Sequence, residues 1–167
     1  MRTTTVFAAA TSTMHTDLII VGLKRVGIST RGVSVLYPSC SPPDAVMYWL
    51  DGSSRLALSP TGGTVTVSGP LRLALEEHRS DMAFPSLRES LRSLGLTQEQ
   101  ATGFEGALLE DRMVIAVEAV DDAELALIFH IFHHIGAEKI VIAEAARASR
   151  HPRPLEAAYA GNSLSAA

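Results

Sequence analysis

Three histidines near the end of the chain are the residues whose types and spacing could do chemistry. His130 and His134 stand one helical turn apart, which brings two imidazoles close enough to bind one transition-metal ion, and His133 is their neighbour. A closed zinc site uses four ligands, however, and no other histidine has a spacing that points to the same ion. Histidine also changes charge in the physiological pH range. The cluster therefore supports two hypotheses, a metal site and an acid sensor.

The same segment supports a third hypothesis, a surface for protein contact. Helical spacing turns a set of apolar residues towards the core: Leu125, Ile128, Ile131, Phe132 and Ile135. Ala126, Phe129, His130 and His133 then project outward, with His134 at the flank. An exposed phenylalanine indicates contact with a second copy of the chain or with its own middle part. We favour this hypothesis, so we expect a homo-oligomer, no cofactor and no catalytic residues.

The helix that carries the histidines is predicted to lie between two strands. Met113 to Val120 reads as a strand, a helix runs from a cap at Asp121 or Asp122 through Ile135, and Lys139 to Ala143 reads as the next strand. Gly136 follows the last apolar position, where a left-handed residue commonly ends a helix. The second part of the chain is therefore a β-α-β unit.

A similar unit opens the chain. Residues 3–8 read as a strand, a helix begins after Ser12 or Thr13 and ends at Gly27, and Val33 to Tyr37 reads as a strand. A shift of about 109 residues superimposes the two units without a gap and places Leu18 on Leu127. The chain is therefore predicted to be α+β and ferredoxin-like, with two pseudo-repeated units (about 3–38 and 112–144) that share one four-stranded antiparallel sheet and carry helices on one side.

The segment between the units, about 39–111, is predicted to hold a hairpin and short helices. Arg55 to Ser59 and Thr64 to Ser68 flank a glycine-containing turn, and three helices follow, the last opened by the capping box of Thr97 and Gln100. Residues 1–146 are thus expected to form a single domain. Residues 147–167 are expected to be a flexible tail, whose basic residues offer a possible contact for an acidic protein: Arg147, Arg150 and Arg153.

Composition excludes several classes of protein. Of the 167 residues 47% are hydrophobic and 19% are charged, which is typical of a globular core. The net charge of -4 argues against nucleic-acid binding. The longest apolar run, Leu18 to Leu23, is too short for a transmembrane helix, and no signal-peptide core follows Met1. With a single cysteine, Cys40, these features favour the cytoplasm as the compartment.

Three stretches of the chain resemble a known bacterial family: "GLKRVGISTRGVSVLYP", "LALSPTGGTVTVSGPL" and "SLRSLGLTQEQATGFEGALLEDRMVIAVEAVDDAELALIFHIFHHIGAEKIVIA". Over residues 4–144 their order is similar to that of the general-stress or low-temperature-induced protein domain, whose biochemical function is unknown. Five residues match its motif LG(V/I)-x-x-x-x-A-x-x-(Y/F)-E, namely Leu94, Gly95, Ala101, Phe104 and Glu105, and Leu96 stands where the motif has Val or Ile. The insert is shorter and more polar than in many members. The resemblance implies a stress-linked role and offers no catalytic residues.

Overall fold

The computed structural model describes residues 2–38, 53–58, 63–79 and 87–146. Within these ranges lie six strands, five α-helices and one short 3-10 turn (Thr30–Gly32). In chain order they are β1 (Arg2–Ala10), α1 (Thr13–Arg25), β2 (Val33–Pro38), β3 (Ser53–Leu58), β4 (Gly63–Ser68), α2 (Leu71–Arg79), α3 (Leu87–Ser93), α4 (Gln98–Leu109), β5 (Met113–Ala119), α5 (Asp122–His134) and β6 (Glu138–Ala146). The chain is α+β, as the hydrophobic periodicity predicts.

All the described strands join one antiparallel sheet in the order β3-β4-β2-β5-β1-β6. The two predicted units supply the adjacent strands β2, β5, β1 and β6. The expectation of a four-stranded sheet is wrong, because the hairpin β3-β4 extends it. Strand β4 pairs with β2 from Val35 opposite Ser68 to Pro38 opposite Val65. Such pairing between distant segments leaves no local signal in the sequence.

Helices cover both faces of the sheet, and the expectation that they lie on one side is also wrong. On one face α1 and α5 pack over Val6, Ala8 and Ala10 of β1. On the other, Phe7 and Ala9 of the same strand contact a second core, built with residues of α2, α3 and α4. Because alternate residues of a strand point to opposite faces, an apolar run such as that of β1 needs a layer on each side.

The two helices of the first layer begin and end in the same way. Both have 13 residues and start at a side-chain cap, where Ser12 accepts from the His15 N–H and Asp121 from the Glu124 N–H. Both end at a glycine with positive φ, +88° at Gly27 and +78° at Gly136. The sequence predicts a helix end at each of these four cap and glycine positions, because capping is a local property.

Candidate interaction surface on α1, α5 and β6

The predicted interface residues of α5 lie at different depths. Ala126, His130, His133 and His134 are exposed, as the helical spacing predicts. Phe129 is not: it is half-buried and packs against the core that α1 and α5 share. The prediction that it projects outward is therefore wrong, because the inward stripe of α5 is wide enough to include it.

The three exposed histidine rings of α5 take part in two stacked pairs, each formed by residues one helical turn apart. His130 and His134 stack with centroids 5.9 Å apart and planes 14° from parallel. His133 instead stacks on Phe129, with centroids 6.2 Å apart and an interplanar angle of 23°. The helix thus separates the predicted cluster into a histidine pair and a histidine that covers a phenylalanine.

This arrangement bears on the metal hypothesis. The pair of His130 and His134 supplies two imidazoles, whereas a catalytic zinc site uses three protein ligands and a structural one four. Over the part of the chain that the structure describes, no group of three or more histidine, cysteine, aspartate or glutamate side chains could hold a metal ion. Metal binding through His130, His133 and His134 therefore stays a prediction that rests on the sequence.

A shallow apolar groove of about 540 Å³ separates α1 from α5. The groove is lined by residues of the two helices and by the residue that follows each: Leu18, Val21, Gly22, Arg25, Val26, Ile131, His134 and Ile135. Gly22 sets the distance between the helices, since a Cβ there would lie 2.8 Å from Ile135 Cδ1. The groove is a consequence of this close crossing.

His15 ties the two helices together at one end of the groove. Its Nε2 lies 2.7 Å from the carbonyl oxygen of Ile135, and the N–H of Thr11 lies 3.0 Å from its Nδ1. Because the carbonyl accepts and the amide donates, the proton sits on Nε2. Sequence reasoning missed this role, since the two residues are 120 positions apart.

Large apolar side chains remain exposed above this layer. Leu18 is 53% exposed and Leu127 is 38% exposed, at the equivalent positions of the two helices, and Met14 is 72% exposed. Leu18 lines the groove, and the side chains of both Leu18 and Leu127 are more than a third exposed.

Strand β6 forms one edge of the sheet, and within the described residues it pairs only with β1. Its central residues are apolar, and Ile142 is 43% exposed. A register shift opposite Phe7 to Ala9 and a φ of +53° at Lys139 mark a bulge at its start. The regular part of the edge therefore begins at Ile140.

The charged residues at the start of β6 are engaged within the chain. Glu138 accepts from Arg112 Nη1 at 2.9 Å, and Lys139 Nζ donates to the carbonyl of Gly103 at 3.1 Å. Edge strands commonly use lysines and bulges to prevent pairing with other chains. Among the described residues these devices lie at the start of β6, and the run from Ile140 to Ala143 that follows has no charged side chain.

Comparison with known families, with characterised proteins and with solved structures finds no match. The site must therefore be interpreted from its own geometry. No helix in the described ranges is long and apolar enough to cross a membrane. The predicted contact residues Arg147, Arg150 and Arg153, like the rest of 147–167, lie outside the described residues.

Proposed function

We propose that this chain is a non-catalytic, self-associating α+β protein with a structural or accessory role. The observation that carries the proposal is the apolar surface left open at α1, α5 and β6, where Leu18, Leu127 and Ile142 are each more than a third exposed. Large apolar side chains exposed beside polar ones occur at protein-contact sites. A second copy of the chain would remove them from water.

The fold itself is the second part of this proposal. We take the two β-α-β units to be copies of one ancestral segment in a ferredoxin-like arrangement, extended by the β3-β4 hairpin. The matching caps and equal lengths of α1 and α5 support the duplication. The adjacent strands β2, β5, β1 and β6, with both helices over one face, support the ferredoxin-like order.

The test of self-association is the molar mass in solution. Light scattering from the full chain is expected to rise from 17.8 kDa towards twice that value as the concentration increases through the micromolar range. Leu127→Glu and Ile142→Glu each place a charge on one of the two open surfaces, so at least one of them is expected to lower the mass. A mass that stays at 17.8 kDa at high micromolar concentration contradicts the proposal.

A second candidate function is a small-ligand sensor, favoured by the groove between α1 and α5. Its volume of about 540 Å³ lies within the range of small-molecule sites. A ligand at 100 times its dissociation constant stabilises the folded protein by about 2.7 kcal/mol, which thermal-shift screening with nucleotides, amino acids and other metabolites would detect. No shift across a broad panel contradicts this candidate.

The biological setting is proposed on the resemblance and composition alone. A stress-linked role is proposed on the resemblance of sequence motifs in residues 4–144 to those of the general-stress domain. The cytoplasm is proposed on the single cysteine, Cys40, which favours a reducing compartment.

A further inference from the structure

The edge of β6 offers a second copy of the chain the means to continue the sheet. A strand at an edge presents backbone N–H and C=O groups that a further strand can use. From Ile140 to Ala143 the strand has no charged side chain, and the bulge at Lys139 lies before this run. The run is therefore a regular, uncharged segment that an identical segment can pair with in the antiparallel sense.

Symmetry restricts how two such edges can meet. A two-fold axis normal to the sheet keeps α1 and α5 of both copies on the same face of the joined sheet. Two residues of β6 that lie directly opposite each other across the joint must then have their side chains on the same face as each other. Because side chains on the same face of a strand are an even number of residues apart, the axis passes beside one residue of β6, which lies opposite the same residue of the second copy. Ile142 is opposite Val6, which faces the α1 and α5 core, and it is the large apolar residue of β6 that stays most exposed.

We propose that two copies of this chain pair through their β6 edges about a two-fold axis at Ile142, which joins the two six-stranded sheets into one. This inference rests on the proposed function and names its partner surface. In this register each Ile142 covers the other, and Ile140 lies opposite Glu144 of the second copy. Helix α5 contacts β6, so the pairing places the α5 helices of both copies on the same side of the joined sheet.

Charge substitutions at Ile142 test the pairing and its register together. Because like charges directly opposite each other destabilise paired strands and opposite charges stabilise them, Ile142→Lys and Ile142→Glu are each expected to sediment as a monomer. An equimolar mixture of the two is expected to regain the dimer. Leu127→Lys, on the outside of α5, is the matched control and is expected to keep it. Circular dichroism on each variant checks that the fold is intact.

The outcomes separate this inference from the proposed function. A wild-type chain that stays monomeric at high micromolar concentration overturns both. A wild-type dimer that survives Ile142→Lys, or is lost in Leu127→Lys alone, overturns the β6 pairing and leaves self-association standing. Two monomeric variants whose mixture fails to dimerise overturn the register at Ile142.

Discussion

Replacing Gly69 by alanine should destabilise the protein far more than the same change at Gly136. Both glycines have positive φ, +101° and +78°, which costs an alanine about 1 to 2 kcal/mol. At Gly136 a new Cβ meets nothing within 4 Å. At Gly69 it would lie 2.3 Å from the carbonyl oxygen of Val33 and 2.7 Å from Ser34 Cα, both backbone atoms of β2 that cannot move independently.

The magnitude follows from this close approach. Forcing extra volume into a packed site costs about 1 to 3 kcal/mol beyond the φ cost. The bond from the Leu71 N–H to Ser34 Oγ, 2.9 Å long, would be disturbed as well. We expect Gly69→Ala to lower the free energy of unfolding by about 2 to 5 kcal/mol. For Gly136→Ala the expected loss is about 1 kcal/mol, because restricting the unfolded chain offsets part of the φ cost.

Urea denaturation followed by circular dichroism measures both variants against the wild type. A transition midpoint that falls much further in Gly69→Ala than in Gly136→Ala supports the packing of the β4 to α2 junction against β2. Equal losses would refute the reasoning, because the insert would then not pack closely on the sheet of the two units.

Two further predictions concern the core and the histidines. Phe132→Ala should lower the free energy of unfolding by about 3 to 5 kcal/mol, since Phe132 is fully buried. The control Met14→Ala, at a side chain that is 72% exposed, should change the free energy of unfolding by less than about 0.5 kcal/mol. Equal effects of the two substitutions in urea denaturation would contradict the described core. Elemental analysis of the purified protein should find less than one equivalent of zinc, nickel, copper or cobalt, because His130 and His134 supply only two ligands. A stoichiometric metal that is lost in His130→Ala would establish the metal hypothesis instead.

The parts of the fold that local chemistry determines could be predicted from the sequence. The caps at Ser12, Asp121 and Thr97 and the glycines at the helix ends act within one turn of the chain, and each helix they delimit is present. Strands β3 and β4 were predicted as a hairpin because their turn is local. Their attachment to β2 could not be predicted, since register between distant strands depends on the assembled core.

The candidate site was predictable only in part, for a similar reason. Helical spacing predicts that His130 and His133 are exposed, but it cannot tell how much of the helix the neighbouring elements cover. Phe129 is therefore more deeply buried than its position on the helix indicates. The sequence around Ile142 does contain one signal of the proposed contact, the uncharged run between Lys139 and Glu144. Only the strand order reveals that this run lies at an edge.

Hydrogen exchange of the wild-type chain at low and high concentration tests most directly whether a second copy covers the β6 edge. The account predicts that backbone amides of residues 140–144 become slower to exchange as the concentration rises, while those of α4 keep their rates, because only an edge that gains a neighbouring strand gains hydrogen bonds. Exchange at residues 140–144 that is the same at every concentration, in a chain whose mass has doubled, would contradict it.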